Sequence, residues 1–193
     1  MMRFFKIFII GFFGFMALVV MNAHANEDDL IKLMKSGGHI LMIRHAYAPG
    51  SGDPANFKIG DCATQRNLDD RGRSQARAIG DWLRSKGIKD AKIYSSQWCR
   101  CLETATLLGL GPVAELPALD SFYGKPQNRE PDIKALRSFI ATLPADGELI
   151  IFVTHYVTIL EITGEGVSPG EGVVLKIKEG GAYDVLGSLS FQL

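Results

Sequence analysis

Two apolar runs in this chain each end on a histidine. The first, His39-Ile-Leu-Met-Ile43, leads into Arg44-His45; the second, residues 149–154, leads into His155. A short buried strand that carries an imidazole at its carboxyl end delivers it to where open α/β sheets bind ligands. Two such strands place two imidazoles on one crevice, with Arg44 beside the first. That grouping suits attack on a phosphoryl group. A guanidinium fork clamps non-bridging oxygens while a neutral imidazole acts as nucleophile. The alternative for either histidine alone is a hydrogen-bonded packing residue; the equivalent placement of both favours chemistry.

Arg100 adds a second guanidinium. It falls in the first turn of a helix that follows Ser95-Ser96, where the partial positive charge of a helix start favours an anion. The surrounding elements can be read from spacing. Residues 48–54 combine Pro, Gly, Ser and Asp, so a loop follows the first strand and its histidine. Asp69 or Asp70 caps a helix in which Gly72, Ala76, Ile79, Gly80 and Leu83 share a face, and Gly87 ends it. Residues 91–94 make a short strand. The helix bearing Arg100 runs from about Trp98 to Leu108, with Leu102, Ala105 and Leu108 turned inward.

Residues 116–129 read as an irregular loop. Pro131 opens a helix with Ile133, Leu136, Ile140 and Leu143 on one face and Pro144 beyond its end. After the His155 strand comes a short helix to Thr163, and residues 173–177 and 185–191 form a closing hairpin around Glu179-Gly-Gly181. Strands alternating with helices predict an α/β fold, a three-layer αβα sandwich. Its central sheet is mainly parallel, with an antiparallel edge hairpin.

The first 25 residues stand apart. Arg3 and Lys6 precede an apolar stretch from Ile7 to Met21 and a small-x-small site at Ala23-His24-Ala25. This is the layout of a cleaved secretory signal peptide, too short in its apolar part to favour a membrane span. It predicts a leader over residues 1–25, one domain over residues 26–193, and a periplasmic or secreted protein with no stable membrane anchor after processing.

The 21 basic and 21 acidic residues of the whole chain balance, so nothing points to nucleic acid as a partner. A phosphate site must then be a local concentration of positive charge. Export also bears on Cys62, Cys99 and Cys101. An oxidising compartment allows one disulfide with one thiol left over, and three reduced thiols remain the alternative. Cys99-x-Cys101 is too close a pair for a usual zinc site, and no metal or other cofactor is expected.

Taken in order, four blocks resemble the histidine phosphatase superfamily, the phosphoglycerate mutase-like group, in its smaller branch. Residues 41–46 are similar to the family's apolar strand and Arg-His-Gly, with Ala46 in place of the glycine. Residues 67–76 resemble its Leu-Thr-x-x-Gly-x-x-Gln-Ala helix start. Residues 93–105 resemble its Ser-Ser-x-x-x-Arg-x-x-x-Thr-Ala block, and residues 150–155 its last catalytic strand. The resemblance covers roughly Gly38 to Ile177.

It implies that His45 attacks phosphorus and becomes phosphohistidine, while Arg44, Arg100 and His155 surround the phosphoryl oxygens. Nearby guanidinium groups favour the neutral imidazole that attack requires, and phosphoryl transfer asks mainly for positioning and charge stabilisation. Many members carry an acidic proton donor in the loop after the arginine helix; here Asp120 is the nearest candidate, with Glu115 and Glu130 next. Tyr47-Ala48 and Tyr156 depart from the family where members often have Glu-Thr and glycine, which bears on the substrate pocket.

The resulting expectation is a metal-independent phosphomonoester hydrolase acting on a small phosphorylated substrate. A subgroup of exported relatives suggests a lipopolysaccharide sugar phosphate. The alternatives are a phosphohistidine-protein phosphatase and a non-catalytic anion-binding protein of the same fold.

Overall fold

The computed structural model describes residues 26–191. The expected signal peptide lies outside the described residues. The elements run α1 (Glu27–Lys35), β1 (His39–Arg44), α2 (Asp70–Ser85), β2 (Lys92–Ser95), α3 (Cys99–Leu108), β3 (Val113–Glu115), α4 (Arg129–Ile140), β4 (Ile150–Thr154), α5 (Tyr156–Thr163), β5 (Gly172–Ile177) and β6 (Tyr183–Leu189).

The six strands form one sheet in the order β3-β2-β4-β1-β5-β6. The first four are mutually parallel, and β5 and β6 continue the sheet antiparallel. Period-two alternation splits the strand side chains between two cores. Leu41, Ile43, Ile151 and Val153 face α1, α2 and α3, whereas Ile40, Met42, Ile150 and Phe152 face α4 and α5. Both faces are covered, as the apolar strands require, and the three-layer αβα sandwich is the observed fold.

β1 and β4 lie side by side in the centre, with Arg44 opposite Thr154. Their following helices pack on opposite faces of the sheet, α2 after β1 and α5 after β4. This divergence opens a crevice beyond the carboxyl ends of β1 and β4. The backbone N–H of His45 donates to the Thr154 carbonyl at 2.9 Å, so the residues that end the two strands are tied at the crevice floor.

Several local expectations change. α1 arises where only the start of the mature chain was placed: Asn26 accepts the Asp29 N–H, three acidic residues occupy the first turn, and Leu30, Ile31 and Met34 are buried. β3 adds a three-residue edge strand to β2. In α3 the buried set is Cys99, Arg100, Cys101, Thr104, Ala105 and Leu108, while Leu102 is only half-buried. The loop after β3 contains two single 3-10 turns, Pro117–Leu119 and Pro126–Asn128. α4 begins at Arg129, with Pro131 inside its first turn.

Candidate active site

His45 and His155 emerge from β1 and β4 with ring centroids 5.6 Å apart and planes at 68°. Both line a cavity of about 670 Å³ together with Arg44, Arg66, Arg100 and Trp98. The two histidines and two arginines singled out from the sequence are therefore brought together. His45 is 3% exposed, and its Nδ1 lies 2.8 Å from the Ala46 carbonyl. A carbonyl only accepts, so Nδ1 carries the proton and Nε2 keeps a lone pair. Burial, then the positive charges of Arg100, Arg66 and Arg44, push the His45 pKa down to about 3 against the raising effect of the Ala46 carbonyl. The imidazole is neutral and available as a nucleophile at ordinary pH.

The sequence motifs have structural reasons at this site. The backbone N–H of Tyr47 donates to Gln75 Oε1 at 2.8 Å, and Gln75 Nε2 donates to the Pro169 carbonyl at 2.8 Å. Gln75 thus bridges the segment after His45 to the turn before β5. A Cβ on Gly72 would sit 1.9 Å from the Tyr47 carbonyl oxygen, so only glycine lets α2 approach that backbone. Thr104 Oγ1 accepts the Ala46 N–H at 3.0 Å. The Gly-x-x-Gln and Thr-Ala pairs shape the loop that holds the nucleophile.

Arg100 is 3% exposed, buried rather than on the surface. Asp53, on the loop after β1, takes hydrogen bonds from Arg100 Nη1 at 2.8 Å and Nη2 at 3.2 Å. It also takes the Trp98 indole N–H at 3.0 Å and the Arg66 backbone N–H at 3.1 Å. Burial raises the Asp53 pKa, but these donors, Arg100 foremost, bring it below the ordinary carboxylate value. Asp53 is ionised and is the one carboxylate among the described residues that line the cavity. The Nε atoms of Arg44 and Arg100 are buried without a protein acceptor, and both residues line the cavity.

Arg66 was not found by sequence reasoning. Its Nε donates to the Gly52 carbonyl at 2.8 Å and its Nη1 to the Ala48 carbonyl at 2.6 Å, so two carbonyls fix a third guanidinium in the cavity wall. Neither Arg66 nor Asp53 belongs to a periodic pattern; both sit in turn-rich sequence where spacing says nothing. A disulfide between Cys62 and Cys99 ties this loop to the start of α3, one residue from Arg100, and leaves Cys101 a buried thiol. Of the two cysteine readings, one bridge with one thiol is the observed state.

Asp120, the expected proton donor, sits one hydrogen-bonded residue away from His155. It does not line the cavity, and its Oδ1 instead accepts Ser96 Oγ–H at 3.0 Å and the Gln97 backbone N–H at 2.8 Å. Ser96 Oγ in turn lies 2.9 Å from His155 Nε2. The carboxyl is held beyond Ser96 from the second histidine by its Ser96 and Gln97 donors. Burial, aided by Asp132 and Glu115, raises its pKa to about 6 against the hydrogen bonds from Gln97 and Ser96. The other two carboxylates lie farther out: Glu115 pairs with Gln97 at the sheet edge, and Glu130 lines a separate groove on α4. Among the described residues no three His, Cys, Asp or Glu side chains are grouped to hold a metal ion.

Comparison with known proteins agrees with this geometry. The family model for the histidine phosphatase superfamily (branch 1) matches residues 40–138, half of the chain. The mitochondrial serine/threonine-protein phosphatase Pgam5 of Drosophila virilis is 36% identical over 83 residues, 43% of this chain and 26% of that protein. The 6-phosphofructo-2-kinase/fructose-2,6-bisphosphatase of Gallus gallus is 34% identical over 79 residues, 36% of this chain and 17% of that enzyme. The chain thus spans about a quarter or less of the length of these curated relatives.

Among solved structures, the protein histidine phosphatase SixA complexed with tungstate superposes with a TM-score of 0.59 at 16% identity, covering 79% of this chain and 96% of that one. A putative phosphohistidine phosphatase SixA from Nakamurella multipartitia gives 0.56 at 18% identity, over 80% of this chain and 96% of its own. At such identities the superpositions speak for the fold. With half the chain, from β1 into α4, matched by the family model, the chain belongs to the histidine phosphatase superfamily, branch 1.

Proposed function

We propose that this protein is a phosphomonoester hydrolase that works through a phosphohistidine on His45. The observation that carries the reading is a neutral imidazole, its Nε2 lone pair free, in a cavity walled by three guanidinium groups. His45 Nε2 attacks phosphorus as the P–O ester bond breaks and the departing oxygen takes a proton from water; a second water then bonds to phosphorus, gives up its proton to solvent, and returns the electron pair to Nε2 as inorganic phosphate leaves. Arg44, Arg66 and Arg100 neutralise the phosphoryl oxygens, and this fixed charge supplies what a metal ion supplies in other phosphoryl-transfer sites. Asp53 stays with Arg100 and keeps its guanidinium in place.

A finer reading is a sugar phosphate of the cell envelope. A cavity of about 670 Å³ has room well beyond a phosphoryl group, and Tyr47, Trp98, Tyr123 and Tyr156 offer aromatic faces to a ring. The expected signal peptide supports a periplasmic or secreted location, where such substrates are met.

The test is His45→Ala. Turnover is expected to fall on the order of 10⁴-fold or more, as when a nucleophile is removed. Labelled substrate should leave an acid-labile, base-stable phosphate on the wild type alone. A His45→Ala variant that hydrolyses a phosphomonoester near the wild-type rate overturns the proposal. Tight vanadate or phosphate binding with no turnover by the wild type would favour the anion-binding alternative.

A further inference from the structure

Behind His155 a hydrogen-bonded chain runs away from the cavity. His155 Nε2 lies 2.9 Å from Ser96 Oγ, and Ser96 Oγ lies 3.0 Å from Asp120 Oδ1. Ser96 is fully buried and His155 is 4% exposed, so the junction is closed to bulk water. The other ring nitrogen, Nδ1, is turned toward Arg100, with Nη2 at 3.5 Å. A neutral imidazole has one N–H to place, and Ser96 has one hydroxyl proton. The chain therefore has two arrangements: in one Nδ1 keeps a lone pair toward the Arg100 donor, and in the other Nδ1–H turns a donor toward the cavity that an oxygen of a bound phosphoryl group satisfies.

With Asp120 ionised, Ser96 donates to the carboxylate and accepts His155 Nε2–H, which leaves a lone pair on Nδ1. With Asp120 protonated, the carboxyl donates to Ser96, Ser96 donates to Nε2, and Nδ1 carries the proton. We propose that Asp120, acting through Ser96, sets which nitrogen of His155 is protonated, and so decides whether the second histidine offers a phosphoryl oxygen a donor or a lone pair. The inference rests on the reading of the cavity as a phosphoryl site. Asp120 and Ser96 are positioning residues in it, and neither touches the substrate.

The proton count closes. A proton arriving at Nδ1 forms an N–H bond there while the Nε2–H proton passes to Ser96. The Ser96 hydroxyl proton then passes to Asp120, whose carboxylate becomes a carboxylic acid. No cationic imidazole is formed. This matters because burial, then the positive charges that surround the ring, hold the His155 pKa well below its ordinary value. The groups facing His155 are Arg44 at the end of β1, His45 just after it, Arg66 from the loop, and Arg100 and Cys101 from α3. Cys101 is pushed up to about 12, chiefly by burial, and stays a neutral thiol. The carboxylates acting on Asp120 are Glu115 from β3 and Asp132 from α4, both of which favour its protonated form. Thr158 of α5 donates to the Asp120 carbonyl and leaves the carboxyl to Ser96 and Gln97.

A phosphomonoester monoanion can hand its proton to Nδ1 and become a dianion held by the N–H it has just made. A dianion meets the same N–H if Asp120 is already protonated. Both routes lead to one protonation state of the complex, in which His155 donates to the phosphoryl group.

The experiment is ¹⁵N NMR of the protein labelled at histidine, read without any turnover. The full sequence has only four histidines, and His155→Gln identifies the signal. In the wild type, His155 should change from the Nδ1–H to the Nε2–H tautomer as the solution is taken from about pH 5 to about pH 8, with no cationic form. Asp120→Asn should hold Nε2–H throughout, because its amide oxygen still accepts from Ser96 and Gln97. Ser96→Ala should break the chain and remove the pH dependence.

Activity adds a second readout. In Asp120→Asn, kcat/KM for an aryl phosphate should fall by roughly 10²-fold, the scale of losing one donor to the reacting group. Should a variant fail to fold, the wild-type titration decides alone. One tautomer of wild-type His155 across the whole range sinks the proposal, as does an unchanged titration in either folded variant. Failure of the phosphohistidine reading would appear separately, as His45→Ala activity beside an intact His155 switch.

Discussion

Burial of His45 and His155 as neutral rings makes stability depend on acid. Both have folded-state pKa values below that of an unfolded histidine, His45 near 3. Their stabilising contribution is complete above about pH 6.5 and is lost as pH falls toward the folded values, because the unfolded chain then binds more protons. Asp120 works in the opposite sense. With a folded pKa of about 6, its contribution is present below the unfolded carboxylate value near 4 and is lost as pH rises through 6. Two outcomes are expected from urea unfolding across pH. His45→Gln should flatten the loss of stability below about pH 6, and Asp120→Asn should show its largest gain relative to wild type above about pH 7. An unchanged acid limb in His45→Gln would mean that its imidazole is charged in the folded protein.

At the scale of elements, the close approach of α2 to the segment after His45 is the constraint easiest to break. Gly72→Ala drives a methyl into the Tyr47 carbonyl oxygen, where backbone must move. A cost of about 1–3 kcal/mol is expected, in the range of overpacked sites, together with lower activity because the moved backbone carries the nucleophile. Thermal melting and turnover on one sample check both. A variant that matches the wild type in both would show that the loop yields freely.

These elements also show what spacing can reveal. β1, β4, α2 and α3 are readable because an apolar period and a chemical residue coincide on each. β3 is three residues long, too short for a period to register. α1 has an apolar stripe of only three buried residues within a charged segment. Arg66 and Asp53 act through loop carbonyls and one buried ion pair, contacts that depend on the three-dimensional path of a segment without regular structure. The sequence marks Asp120 as a residue but does not fix the direction of its carboxyl. Which way a carboxyl points after a single 3-10 turn depends on the donors waiting for it, here Ser96 and Gln97.

The molecule as a whole is a sheet with one working end, and its two tethers there are the Arg100–Asp53 pair and the Cys62–Cys99 bridge. Export has a direct check. Mass spectrometry of protein recovered from a host that processes signal peptides should show an amino terminus at Asn26, which would leave the cap of α1 as the first residue. Recovery with Met1 intact in a cytoplasmic fraction would overturn the exported location.

The bridge gives the loop a history as well as a position. Before its thiols meet an oxidant, the segment carrying Asp53 and Arg66 is joined to the start of α3 by hydrogen bonds, one ion pair and the stacking of Phe57 on Trp98. A chain whose Cys62 and Cys99 are still reduced then holds its anion clamp more loosely. Closing the 37-residue span between the two cysteines removes loop freedom worth about 3–4 kcal/mol in the chain-entropy picture. Closing the bridge thus stiffens the clamp, and hydrolysis by the reduced protein should be weaker than by the oxidised one.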